Sequence, residues 1–153
     1  MKLENNPQGA AGFTLTEMLV AITVAGILTG IAIPNFMSWL PGLRLSSAAR
    51  QVATDLQVTR MKAVSQNNKF RLSFVGSIPG ATTYQIQKAN GGTFVAESGP
   101  FALPPGITVT VVSATSEFQP RGTANTASTI TLQNSDGQTQ NVQIAVVGRV
   151  TVP

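Results

Sequence analysis

The hydrophobic pattern changes along the chain, and its first part is a continuous apolar run. Residues 13–33 read FTLTEMLVAITVAGILTGIAI, a run of 21 residues interrupted by one ionisable group, Glu17. As a helix that rises about 1.5 Å per residue, this run is roughly 30 Å long, which is enough to cross the core of a bilayer. The pattern therefore predicts a transmembrane helix over residues 13–33.

Periodic apolar positions follow in the next part of the chain. They recur at three- and four-residue intervals, at Leu45, Ala48, Ala49, Val52, Leu56 and Ala63. This spacing places them on one face of a helix and predicts an amphipathic helix over residues 43–65. Asn67 and Asn68 are suited to end that helix.

Two helix breakers lie between these segments. Pro34 has no backbone N–H to donate and crowds the preceding turn, so we expect a helix kink there. Pro41 and Gly42 form a second breaker, which predicts another kink or a break ahead of the amphipathic face. The expected organisation is a kinked amphipathic helix over residues 34–66 that continues into a head domain over residues 67–153.

The head domain is predicted to consist of short antiparallel strands. Val, Ile, Thr and Phe are enriched in six runs, at residues 69–75, 82–89, 93–96, 107–112, 128–133 and 140–147. Turn-forming residues at 90–92 and 135–137 separate neighbouring runs, and the second of these turns predicts an antiparallel hairpin. The predicted fold class is therefore α+β, with a long N-terminal helix packed on antiparallel β-sheets.

Composition argues against catalysis. The chain has no cysteine and no histidine, which removes the most nucleophilic side chain, the commonest general base and the commonest metal ligand. Its six carboxylates are scattered without the pairing that acid and base catalysis uses. We therefore predict no catalytic, metal or cofactor site and a protein that is not an enzyme.

The residues ahead of the apolar run have an unusual order. Small residues, Ala10, Ala11 and Gly12, precede the run, whereas an ordinary secretory signal places such residues after it. A cut between Gly12 and Phe13 would leave an ammonium about one helical turn from Glu17. These opposite charges would offset each other's burial, and a pair formed between neighbouring chains would set the register in which apolar helices stack.

Two other interpretations of this segment stay open. In a lone anchor helix, the Glu17 carboxylate reaches the membrane interface and sets no register. A mature N-terminus at Met1 would instead favour a periplasmic binding module anchored in the inner membrane.

The stretch GFTLTEMLVAITVAGILTGIAIPNF resembles the class III signal of type IV prepilins and pseudopilins. The resemblance implies that residues 1–12 are a leader removed by a prepilin peptidase after Gly12, that the Phe13 amine is methylated, and that Glu17 guides docking into a filament. It also implies a single pass through the lipid of the bacterial inner membrane and a head in the periplasm. The implied partners are other pilin or pseudopilin subunits and the inner-membrane assembly platform.

Three later stretches narrow the resemblance. LQVTRMKAVSQNNKFRLSF, FQPRGTA and VVGRVTV are similar to segments of GspH/FimT-type minor pilins and pseudopilins. This resemblance implies a head of two packed antiparallel sheets against the helix. It predicts a minor pilin or pseudopilin that takes part in the assembly or initiation of a type IV pilus or a type II secretion pseudopilus.

Two features of the head have simple structural interpretations. Phe118, Pro120 and Gly122 predict a tight turn with the aromatic ring beneath it rather than a functional loop. Arg60 and Lys62 are interpreted as partners of Asp55 or as part of the solvated helix face.

DNA binding is the alternative function. Arg149 lies where some FimT-type proteins have a basic motif that binds DNA during uptake, although Thr151 stands where a second basic residue is expected. DNA affinity needs several phosphate contacts, for which Arg121 is the first candidate, and base stacking needs exposed rings such as Phe118 or Tyr84. The competing interpretation makes Arg149 an edge-strand charge that blocks unwanted strand pairing.

Overall fold

The computed structural model describes residues 12–153, with positions 34 and 35 described by their helical backbone alone. Residues 1–11, most of the predicted leader, lie outside the described residues. The chain divides into two units between Ser38 and Trp39. The described residues form the helix α1 (Leu15–Ser65) and the strands β1 (Phe70–Val75), β2 (Thr83–Asn90), β3 (Thr93–Ala102), β4 (Thr108–Val112), β5 (Glu117–Phe118), β6 (Ser128–Gln133), β7 (Thr139–Ile144) and β8 (Val150–Thr151).

Helix α1 begins with a cap at Thr14. The backbone N–H of Glu17 donates to Thr14 Oγ1 at 3.2 Å, which satisfies one of the free N–H groups of the first turn. The helix then starts with Leu15–Ile33, a stretch of mean hydropathy 1.9 whose side chains are exposed. By length and composition, this stretch can cross a membrane, as the apolar run predicts.

The helix runs without interruption through Pro41 and Gly42, so a break at this point is wrong, whereas a kink there stays a prediction. A Cβ built on Gly42 would lie 3.7 Å from Gln138 Oε1, in the loop between β6 and β7. One turn further, the side chain of Leu45 is buried. Packing in the following turns therefore outweighs the weak local propensity of Pro41 and Gly42. The kink at Pro34 stays a prediction.

The end of α1 has the hydrogen bonds of a Schellman motif. The N–H of Asn67 donates to Val64 O and the N–H of Asn68 donates to Ala63 O, at 3.4 and 3.2 Å. Asn67 has a φ of 47°, the left-handed conformation that this motif needs at the residue after the cap. The predicted end of the helix is confirmed.

The strands form two antiparallel sheets, of order β3-β2-β1-β5 and β4-β6-β7-β8. Gly91 and Gly92 join β2 to β3 with φ of 58° and 92°, as in a two-residue type I′ hairpin. In the hairpin of β6 and β7, the N–H groups of Asp136 and Gln138 both donate to Asn134 Oδ1. Both predicted turns are confirmed.

Some strand boundaries differ from the prediction. β3 continues to Ala102 across Gly99 and Pro100, two residues typical of strand ends, and its pairing with β2 shifts register beside Ile86. β7 ends at Ile144 because the residues that follow form a turn. The two-residue strands β5 and β8 were not predicted, since so short a segment has no periodicity to detect.

One hydrophobic core joins the second half of α1 to both sheets. Every apolar residue that predicted the amphipathic face is buried. These residues share the core with Phe70 and Phe118 of the first sheet and with Leu132 and Val142 of the second. The α+β class, with the helix against antiparallel sheets, is confirmed.

Tyr84 links the helix to the first sheet from within this core. Its hydroxyl donates to the Asp55 carboxylate and accepts a hydrogen bond from Gln51 Nε2 at 3.0 Å. Burial and the bond to Asp55 raise the pKa of Tyr84 well above its usual range. Tyr84 and Phe118 are both fully buried, so neither is the exposed ring that base stacking requires.

Candidate functional site

The start of α1 contains the predicted cleavage and register residues. Gly12 and Phe13 precede the helix, and Phe13 is 78% exposed. A Cβ built on Gly12 meets no described atom within 4 Å. Within residues 12–153, both residues that flank the predicted cut are exposed.

Glu17 occupies the third position of α1, where a carboxylate interacts favourably with the partial positive charge of the helix start. This effect contributes about 0.3–1 kcal/mol. Thr14 and Glu17 have the spacing of a capping box, a signal that the sequence interpretation missed. Within residues 12–153 the Glu17 carboxylate is exposed and has no hydrogen-bond partner. Its pairing with the Phe13 ammonium of a cut chain stays a prediction.

A groove of about 730 Å³ lies between the end of α1 and two turns of the head. Basic and apolar side chains line it. We call it the arginine groove and define it by Arg60, Met61, Val64, Arg121, Val147 and Arg149. These residues come from three distant parts of the sequence, so the groove exists only in the folded head.

Both turns beside the groove end in a glycine. The N–H of Gly122 donates to Gln119 O at 2.8 Å, and the N–H of Gly148 donates to Ala145 O at 2.8 Å. The two glycines have φ of 79° and 81°, which L side chains rarely adopt. Phe118 is buried directly before the first turn, so the predicted tight turn is confirmed.

The two turns contact each other at these glycines. A Cβ on Gly148 would lie 2.0 Å from Gly122 O, so the two backbones touch. Arg60 Nε donates to the same oxygen at 2.7 Å. A second link joins the Ala124 N–H to Val146 O at 2.9 Å. One turn follows β5 of the first sheet and the other joins β7 to β8 of the second, so these contacts hold the two sheets together at this end.

The arginine groove has a positive charge and apolar walls. Arg121 and Arg149 are exposed, as are Met61, Val64 and Val147, and no carboxylate lies among the residues that line the groove. Guanidinium groups bind phosphate and carboxylate oxygens through two parallel hydrogen bonds. Its exposed arginines therefore favour an anion over a cation in the groove.

Arg60 was missed as a groove residue. The sequence interpretation made Arg60 a partner of Asp55 or part of the solvated helix face. In the structure, Asp55 accepts a hydrogen bond from the Tyr84 hydroxyl, and Arg60 Nε donates to Gly122 O. Arg60 follows the buried Thr59 at the end of the amphipathic face. A basic residue directly after a buried position of the amphipathic face lies at the border of the core. This position was the signal in the sequence that could have identified Arg60 as a groove residue.

Other basic residues of the head lie elsewhere. The guanidinium of Arg71 lies 4.1 Å from the centre of the Phe94 ring, and Lys88 Nζ donates to Gln66 Oε1 at 2.8 Å. No group of three carboxylates or other ligands among residues 12–153 could hold a metal ion. The arrangement can bind and position an anion, but it contains no acid, base or nucleophile set for catalysis.

Two family models match the chain. One, described as the prokaryotic N-terminal methylation motif, matches residues 8–33. The other, described as type II transport protein GspH, matches residues 48–148, which is more than half of the chain. A comparison with curated protein sequences finds no match.

Solved structures share the fold. The type IV minor pilin FimU of Pseudomonas aeruginosa superposes with a TM-score of 0.59 at 20% identity, over 71% of this chain and 87% of that one. The minor pseudopilin EpsH of the type II secretion system of Vibrio cholerae superposes with a TM-score of 0.59 at 9% identity, over 72% of this chain and 96% of that one. At these identities the likeness establishes the architecture, a long helix followed by antiparallel sheets.

Proposed function

The chain belongs to the family of type II transport protein GspH, and we propose that it is a minor subunit which takes part in filament assembly or initiation. The pilin-like fold gives the chain a structural role in a type IV pilus or a type II secretion pseudopilus. One observation carries the proposal. Helix α1 supplies both an exposed apolar stretch long enough to cross a membrane and a buried face of the head core.

The proposed route begins with a precursor in the bacterial inner membrane and a head in the periplasm. A prepilin peptidase removes residues 1–12, the Phe13 amine is methylated, and an assembly platform moves the subunit into the filament. The exposure of Gly12 and Phe13 and the match to a methylation motif over residues 8–33 support this order. The apolar stretch then leaves lipid and packs against the helices of neighbouring subunits.

Glu17 is the proposed register residue. In a filament, its carboxylate would leave water and lipid headgroups, which is unfavourable by several kcal/mol unless an opposite charge is close. The ammonium of a cut Phe13 is such a charge. A pair formed between neighbouring chains fixes their axial offset, because any other offset leaves both charges unpaired.

The Glu17→Ala variant is expected to be cut normally but to be depleted from filaments. Removing one partner of a buried ion pair costs about 3–5 kcal/mol, and each 1.4 kcal/mol is a factor of about ten. We therefore expect about a hundredfold or greater loss of the subunit from sheared filaments, measured by quantitative immunoblotting, with the membrane fraction showing the short form.

Glu4→Ala is the matched control, because it removes the same charge from the leader that cleavage discards. It should enter filaments like the wild type. Normal incorporation of Glu17→Ala would contradict the register role and favour a lone anchor helix.

A second candidate function, DNA binding, is favoured by the arginine groove. The fold brings Arg121 and Arg149 to one groove and adds Arg60, although Arg60 is partly engaged by Gly122. Several phosphate contacts close together are what sequence-independent DNA affinity requires. No aromatic ring lies among the groove residues, so binding would use the DNA backbone rather than base stacking.

A gel-shift titration of the full chain in detergent tests this candidate at two salt concentrations. Binding should weaken as salt rises, and Arg149→Ala should weaken it further. Each lost phosphate contact should reduce the slope of log affinity against log salt by about 0.7–0.9. Arg50→Ala, which removes an exposed arginine outside the groove, should behave like the wild type. The absence of a shift at low salt eliminates DNA binding.

A further inference from the structure

Three aliphatic side chains of the arginine groove are exposed to solvent. Met61, Val64 and Val147 are 62%, 52% and 68% exposed. They line the same groove as the guanidinium groups of Arg121 and Arg149. Removing aliphatic surface from water is favourable. A ligand that covers these side chains therefore gains affinity that a bare anion does not have.

Arg60 is held in place within this surface by the turn at Gly122. Its Nε donates to Gly122 O at 2.7 Å. A guanidinium has five N–H donors, so this bond leaves others for a ligand. A side chain that is already fixed loses less conformational entropy when it binds a partner. The groove therefore combines one pre-positioned cation with two exposed cations and aliphatic walls.

This combination matches an acidic polypeptide better than DNA. A DNA backbone presents phosphates and sugars, which would leave the aliphatic walls without an apolar partner. In an extended polypeptide, side chains two positions apart project to the same side, about 6–7 Å from each other. A segment with an aliphatic and an acidic residue at this spacing can contact a wall of the groove and a guanidinium together.

The charge of the chain argues against a second copy as the occupant. Residues 39–153 contain nine arginines and lysines and four aspartates and glutamates, a net charge of +5. The exposed Glu97 lies beside Gln66, which also accepts a hydrogen bond from Lys88. A cation would therefore accompany this carboxylate into the groove. Since like charges that face each other across an interface are unfavourable, a more acidic polypeptide fits better.

We propose that the arginine groove binds an acidic, aliphatic segment of a neighbouring filament subunit of a different kind. Carboxylates of the segment bind Arg121 and Arg149, and its aliphatic side chains cover the three aliphatic walls. The proposal rests on the proposed function, because assembly among other subunits brings such a segment to the groove. The contact selects which subunit lies beside this one.

Val147→Ser tests the apolar wall, with Val146→Ser as its matched control. Both valines are exposed, but of the two Val147 alone lines the groove. Losing the burial of one valine weakens a contact about tenfold. We expect a loss of that size for Val147→Ser in sheared filaments, measured by quantitative immunoblotting, and wild-type incorporation of Val146→Ser. Equal incorporation of the two variants overturns the polypeptide contact.

Arg149→Gln tests the charge of the groove in the same assay. Losing a hydrogen-bonded cation should also reduce incorporation about tenfold. Arg50→Gln, which changes an exposed arginine outside the groove, should be incorporated like the wild type. If Arg149→Gln is depleted but Val147→Ser is not, the groove holds an anion without apolar groups and the polypeptide contact is wrong.

Coverage of the groove can be measured directly, because the chain contains no cysteine. Val147→Cys keeps a small apolar side chain in the wall and adds a single thiol. We expect a water-soluble maleimide to label this thiol in the membrane fraction but not in sheared filaments, with or without nuclease treatment. Labelling that nuclease restores would identify DNA as the occupant and overturn the polypeptide contact.

The same fractions separate the two proposals. If the wild-type chain is absent from sheared filaments, the proposed minor subunit is wrong, and so is the contact that rests on it. If the chain is present there but Val147→Cys is labelled as fast as in the membrane fraction, the contact alone is wrong.

Discussion

The Gly148→Ala variant is expected to lose about 3 kcal/mol or more of the free energy of unfolding of the head. The added Cβ would lie 2.0 Å from Gly122 O and 2.9 Å from Arg60 Nε, so one of these groups must move. Movement breaks the 2.7 Å hydrogen bond between them, and a bond to a charged group contributes about 1.5–3 kcal/mol. Alanine at a φ of 81° adds about 1–2 kcal/mol of backbone strain.

Gly137→Ala separates the collision from the strain. Gly137 has a φ of 80°, almost the same as Gly148, but the nearest atom to its built Cβ is Gln133 Nε2 at 4.0 Å. It should therefore lose only the strain, about 1–2 kcal/mol. Urea unfolding of each full-length variant in detergent, followed by circular dichroism, measures the difference. Equal losses in the two variants would mean that the contact between the turns does not stabilise the head.

The amphipathic face of α1 was predictable because burial against a sheet requires apolar residues at helical spacing. All of its predicted residues are buried. The continuity of the helix was not predictable in the same way. Pro41 and Gly42 are helix breakers by local propensity, and only the folded head places Gln138 against Gly42 and buries Leu45 one turn later. Local rules fail where distant residues supply the packing.

The arginine groove was predictable only in part. Arg149 stood out through the resemblance to a basic motif of some FimT-type proteins, Arg121 was the first candidate for a further phosphate contact, and the tight turn after Phe118 followed from its residues. Their proximity depends on how two sheets meet, which no local pattern encodes. The two arginines are brought close by a backbone contact between the turns: the oxygen of Gly122 occupies the space that a side chain on residue 148 would need, which glycine leaves free. A glycine required by close approach looks, in sequence, like a glycine required by a turn.

Replacing Gly12 with leucine is expected to leave a full-length precursor in the membrane. A Cβ built on Gly12 meets no described atom within 4 Å, and Gly12 precedes the helix, so the change should not disturb the fold of residues 12–153. The leucine side chain should instead displace the peptide bond in the active site of the peptidase. A displacement of about an ångström slows a reaction by about a hundredfold, so cleavage should become slow. Mass spectrometry of the membrane fraction should find a chain that begins at Met1. Ala11→Leu adds the same bulk one residue earlier and should still be cut.

The uncut precursor should also fail to assemble, for an electrostatic reason. In the full-length chain the nitrogen of Phe13 is an amide without charge, so the Glu17 carboxylate lacks its proposed partner. Burying it among neighbouring helices is then unfavourable by about 2–4 kcal/mol or more. Gly12→Leu and Glu17→Ala should therefore be depleted from sheared filaments alike, although only Gly12→Leu retains its first residues. Filaments that contain full-length Gly12→Leu would show that Glu17 needs no ammonium at Phe13, and the register mechanism would be wrong.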